Sequence, residues 1–126
     1  RGNFIFGYIC ETKETLQESL DFLLDIDLDY FQQAFLTPFP GSEVSQGISE
    51  YGEVVTSDWG KMNNVDISFI PHGLSKEEMV KFSKKAFIKF YLRPKVIWTH
   101  LKLIIKYPMI RRYSKTFSAF LKTLAR

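Results

Sequence analysis

At 126 residues and 45% hydrophobic, the chain is long enough for one compact unit with its own core. A lone cysteine, Cys10, excludes an internal disulfide and any metal site built from several thiolates, and it points to a reducing, cytoplasmic setting. Net charge is only +3, yet every acid lies at or before Glu78 and 13 of the 17 Lys and Arg residues follow it, so the last third is a basic block.

The chain opens on Arg1-Gly2-Asn3-Phe4 without a charged n-region or cleavage site, and this reads as a start inside a longer protein. No apolar run approaches the roughly 18 residues of a membrane span, so a soluble or peripheral protein is expected. Asn3 to Ile9 is rich in β-branched and aromatic residues and suits a strand buried on both faces. Thr12 then caps a helix whose Leu16, Leu20, Leu23 and Leu24 share one face, with an end expected near Asp27.

Tyr30 to Thr37 reads as a second strand, stopped by Pro38 and Pro40. Strand, helix and strand make a βαβ unit, which implies parallel strands and places functional residues on the loops beyond their carboxyl ends, Gly7 to Thr12 and Thr37 to Glu43. Ser42 is placed to cap a short helix through Glu50 with Gly52 as its left-handed exit. Residues 53–73 look irregular or briefly extended.

Ser75-Lys76-Glu77-Glu78 is a capping box, followed by Met79, Phe82, Ala86 and Phe90 on one helical face. Pro94 interrupts or restarts that helix, and Ile97, Leu101, Ile104 and Ile105 continue an apolar stripe. Pro108 repeats the interruption before a third stripe from Ile110 to Leu124. The expected organisation is α/β: a strand–helix–strand–helix part over 1–52, an irregular connection over 53–74 and a basic helical region over 75–126.

Most catalytic constellations fail for want of residues. His72 and His100 stand at no metal-ligand spacing, Cys10 has no histidine nearby in sequence and reads as a buried inert thiol, and no P-loop or Gly-x-Gly-x-x-Gly sequence is present. No residue is assigned a catalytic or metal-binding role.

Three segments carry a resemblance. Phe4-Ile5-Phe6-Gly7-Tyr8-Ile9-Cys10-Glu11-Thr12, then Leu36-Thr37-Pro38-Phe39-Pro40-Gly41-Ser42-Glu43, and Phe90-Tyr91-Leu92-Arg93-Pro94 together resemble the later strands and following segment of radical S-adenosylmethionine enzymes of the cobalamin-binding subclass. The resemblance implies the carboxy-terminal part of a partial TIM-type barrel in an iron–sulfur oxidoreductase, similar to the anaerobic magnesium-protoporphyrin monomethyl ester cyclase, acting on a tetrapyrrole, lipid or similar small molecule. It implies S-adenosylmethionine, a [4Fe–4S] cluster and cobalamin as cofactors of the whole enzyme. The cluster cysteines and the cobalamin domain would lie upstream, so this segment would be inactive alone and bind no cofactor stably. By the same resemblance Ile5, Phe6 and Gly7 lie on the adenine side of the ligand, and Thr37 and Pro38 at the next strand end.

The sequence departs from that family where Ile9-Cys10 replaces a Pro-Gly pair, which removes easy access to positive φ. Glu11 and Thr12 read as helix-start residues. The basic helices allow another class of function, a non-catalytic module that docks on anionic membrane or nucleic acid. Their aromatics follow the helical stripe, which favours core over base stacking. Open strand edges further suggest that copies of the chain self-associate.

Overall fold

The computed structural model describes residues 1–56, 58, 60 and 62–106. The Pro108 interruption and the stripe from Ile110 to Leu124 lie outside the described residues. Among those described, the architecture is mixed α/β, with two two-stranded sheets and three α-helices.

Strand β1 (Gly2–Phe6), helix α1 (Lys13–Asp25) and strand β2 (Phe31–Phe35) form the βαβ unit, and β1 and β2 pair in parallel with Gly2 opposite Phe31 and Phe6 opposite Phe35. Side chains alternate across a pleated strand. Phe6, Phe31 and Phe35 therefore enter the core, whereas Asn3, Ile5 and Gln32 stand on an uncovered face. Ile5 is 58% exposed, which corrects the expectation of a strand buried on both sides. Helix α1 starts because Thr12 and Thr15 make a reciprocal capping box, and it ends at Asp25 where Ile26 turns to extended backbone. Its buried Leu16, Leu20 and Leu23 hold it to the sheet, each contributing about 2 kcal/mol by burial.

Beyond β2 the chain makes two 3₁₀ turns, Glu43–Ser45 and Ile48–Glu50, in place of one short helix. Ser42 caps the first as expected, but the left-handed glycine is Gly47 (φ 77°), not Gly52. Gly52 instead begins strand β3 (Gly52–Val54), antiparallel to β4 (Phe69–Pro71). A side chain at Gly52 would run into the Ile70 carbonyl and the Phe69 ring, so close backbone approach is what requires glycine there.

Helix α2 (Lys76–Tyr91) opens on the Ser75/Glu78 capping box and buries Met79, Ala86 and Phe90. Its face joins β1, α1 and β2 in one aromatic-rich cluster: Phe6 meets Phe82 edge-on at 5.0 Å between centroids, and Phe31 lies 5.0 Å from Phe90. Pro94 stands at the first position of α3 (Pro94–Lys106), where its missing N–H costs nothing. The one residue α3 buries is Val96. Ile97, Leu101 and Ile105 are exposed, contrary to a core stripe, because among the described residues α3 packs on the others through the side that bears Val96.

Candidate functional site

The carboxyl ends of β1 and β2 meet at one rim. The Leu36 N–H donates to the Phe6 carbonyl at 3.1 Å, so Gly7 and Thr37 leave their strands side by side. Gly7 turns the chain with φ 73°, and a methyl at its Cα would run into Met79 Cε. The glycine is thus set by backbone conformation and by α2 packing beneath it.

The turn that follows closes with the Glu11 N–H donating to the Tyr8 carbonyl at 3.0 Å. Cys10 is its third residue and takes φ 63°, so positive φ is reached despite the loss of glycine. Such a conformation costs a non-glycine residue about 1–2 kcal/mol. Cys10 is exposed, which corrects the expectation of a buried thiol: a left-handed residue at a turn tip has its side chain thrown outward.

Glu11 does more than begin a helix. Its carboxylate accepts hydrogen bonds from the N–H groups of Gly7 and, at 3.2 Å, Tyr8, closing the backbone donors freed where β1 ends. Burial raises the Glu11 pKa above the ordinary glutamate value, with the two N–H bonds pulling the other way. The sequence signal was a carboxylate four residues past a strand-ending glycine, just ahead of the cap residue Thr12.

The residues singled out from sequence occupy distinct parts of this rim. Thr37 Oγ1 donates to the Asn63 carbonyl at 2.9 Å, tying the β2 end to the loop before β4. Pro38 is buried beside it, and Phe6 is buried with its carbonyl taken by Leu36. Ile5 differs. Gly2 and Phe6 bond toward β2, so alternation along the strand turns the Ile5 N–H and C=O to the opposite edge, where no described strand pairs.

Phe90 to Pro94 lies at the other end of the sheet. Arg93 Nη1 donates to the carbonyls of Leu24 (2.8 Å) and Ile26 (3.3 Å), Nη2 to that of Leu28 (3.0 Å), and the guanidinium sits 4.2 Å from the Phe90 ring centre. Tyr91 Oη donates to the Phe31 carbonyl at 2.8 Å, and burial pushes its pKa up to about 12. His100 Nδ1 donates to the Val96 carbonyl at 2.8 Å, and His72 is exposed. Among the described residues, no three His, Cys, Asp or Glu side chains converge as a metal site, and no helix is long and apolar enough to cross a membrane.

The chain is 34% identical to an uncharacterized methyltransferase, PH0819, of Pyrococcus horikoshii over 109 residues, which are 83% of this chain and 24% of that protein. It is 27% identical over 81 residues to a bacteriochlorophyllide d C-12(1)-methyltransferase of Chlorobaculum tepidum, 64% of this chain and 17% of that protein. The chain thus spans about a quarter or less of the length of these relatives. No family model matches, and no solved structure matches. Both relatives are named for methyl transfer, which overturns the expectation of a cobalamin-binding radical S-adenosylmethionine oxidoreductase. Neither name carries iron–sulfur, cobalamin or oxidoreductase chemistry. The physical reason for the error is that two strand ends and a capped helix are compatible with many chemistries, so they do not by themselves specify the reaction. What these comparisons establish is that the chain is similar to parts of two enzymes named as methyltransferases.

Proposed function

We propose that this chain is part of an S-adenosylmethionine-dependent methyltransferase and that the rim formed by Ile5, Phe6, Gly7, Thr37 and Pro38 borders the methyl-donor site. The observation that carries the reading is the outer edge of β1, which no described strand pairs. The Ile5 N–H and C=O form a donor and acceptor pair on that edge, of the kind a purine edge meets, beside an uncovered face bearing Asn3 and Gln32. When bound, S-adenosylmethionine supplies an electrophilic methyl group.

The chain's own contribution is positional. Gly7 and Glu11 fix the path out of β1, so that no unsatisfied backbone donor competes for the ligand, and Thr37 pins the neighbouring strand end to Asn63. The outer edge of β2 is taken in part, by the Phe35 N–H bond to the Asn64 carbonyl and the Tyr91 bond to the Phe31 carbonyl, whereas the β1 edge at Asn3 suits pairing between copies of this chain. A single species at monomer mass in sedimentation at high concentration would overturn the pairing.

Ultraviolet crosslinking of tritiated S-adenosylmethionine, followed by peptide mapping, tests the donor site. The expected result is label in peptides containing Ile5 to Gly7 or Thr37 to Pro38, competed away by S-adenosylhomocysteine. Label confined to other peptides, or indifferent to the competitor, sinks the assignment.

A further inference from the structure

Helix α3 leaves an apolar stripe in water. At 100° per residue, Ile97, Leu101, Ile105 and Trp98 fall within one arc about 100° wide. All four are exposed, Leu101 by 44%, Trp98 by 59% and Ile105 by 80%. The buried Val96 lies roughly opposite, so packing against the other described residues leaves this arc exposed. Lys102 and Lys106 follow directly beside the arc, and the Lys102 ammonium sits 5.4 Å from the Trp98 ring centre.

We infer that this face of α3 docks on an anionic phospholipid bilayer, with the stripe at the acyl boundary and Lys102 at the headgroups. Charge complementarity selects that occupant. The helix carries no acid, and none occurs in the chain after Glu78. A second copy laid stripe to stripe would bring the two Lys102 ammonium groups together with no carboxylate on α3 to pair them. Nucleic acid would satisfy a lysine, but its surface is mostly phosphate and polar base edge, with too little apolar area to cover Ile97, Leu101 and Ile105 together. A bilayer interface accepts both halves, and tryptophan beside lysine is the pairing such interfaces favour. Lys95 plays another part, held at 2.7 Å by Asp27.

Flotation of the 126-residue chain with phosphatidylcholine vesicles, with and without phosphatidylglycerol, tests the assignment. The chain should float with the anionic vesicles only, and added salt should weaken the association. Leu101→Asp and Ile105→Asp should each weaken partitioning on the order of tenfold, with an unchanged thermal melt because both sites face water. In a Trp59→Phe background, the remaining tryptophan emission should shift blue on anionic vesicles. Equal flotation of the parent and both variants would assign binding to the basic charge elsewhere and overturn the inference. So would equal flotation on neutral and anionic vesicles, a dimer formed without lipid and lost in Ile105→Asp, or single-stranded oligonucleotide binding abolished by the same substitution.

Discussion

At the amino end of the β1–β2 pair, an arginine closes three carbonyls left over from the end of α1 and the approach to β2; at the carboxyl end, a glutamate closes two N–H groups left over where β1 stops. The chemistry is complementary, but the surroundings differ. Around Arg93, the rings of Phe31, Phe87, Phe90 and Tyr91 pack against one another, so that end is dense and holds the fold. Around Glu11, the turn carries a left-handed cysteine, no described strand pairs the outer edge and the carboxylate is half-buried. Strain and open hydrogen-bonding groups gathered at one end of a sheet are what a binding rim requires, and the dense end is what allows it.

Substitutions sharpen this contrast. Arg93→Ala leaves three carbonyls without their donor and should cost about 3 kcal/mol or more in denaturant unfolding; Arg93→Lys should recover only part, because an ammonium cannot reproduce the fork. A loss below about 1 kcal/mol would mean that the arginine does not hold this end. Gly7→Ala should cost about 1–2 kcal/mol from its positive φ alone, and it should also displace Met79. An alanine variant as stable as the parent would show that the rim tolerates another path.

Cys10→Gly works in the opposite sense. Relief of the left-handed residue exceeds the entropy that glycine adds to the unfolded chain, so stability should rise by about 0.5–1 kcal/mol, measured by the same unfolding curve. A decrease would place the thiol in a contact that holds the turn.

The smallest effect is a pH dependence. The folded Glu11 pKa is raised, so the folded state holds that proton more tightly than the unfolded one; its contribution is present below the ordinary value of 4.5 and is lost as pH rises through the folded value. Glu11→Gln should therefore gain stability relative to the parent between acid and neutral pH. A difference between the two melts that stays constant with pH would mean that burial does not set this titration.

Local signals were the most legible part of the chain. Thr12 and Ser75 were readable as caps because capping is a contact over three residues, and the leucine face of α1 because its period is written in the same thirteen residues. What failed depended on distance. Gly52 reads as a helix exit until the Ile70 carbonyl is placed against it, and the Ile97 to Ile105 stripe reads as core until the reach of the rest of the protein is known. Phe90 to Pro94 could be recognised as a pattern, but its work, bonds from Arg93 and Tyr91 to carbonyls 60 to 69 residues away, has no trace in local spacing. At the rim, the strand ends were foreseeable from the βαβ order, whereas the bond from Glu11 back to Gly7 was hidden behind the ordinary preference for acids at helix starts.

The central claim is that one end of this sheet binds and the other holds. Amide chemical shifts of the isotope-labelled chain titrated with S-adenosylhomocysteine test it most directly. Shifts concentrated from Ile5 to Glu11 and at Leu36 and Thr37, with the amides from Phe90 to Arg93 unmoved, are the predicted result. Shifts gathered at the Arg93 end, or spread evenly over both, would contradict it.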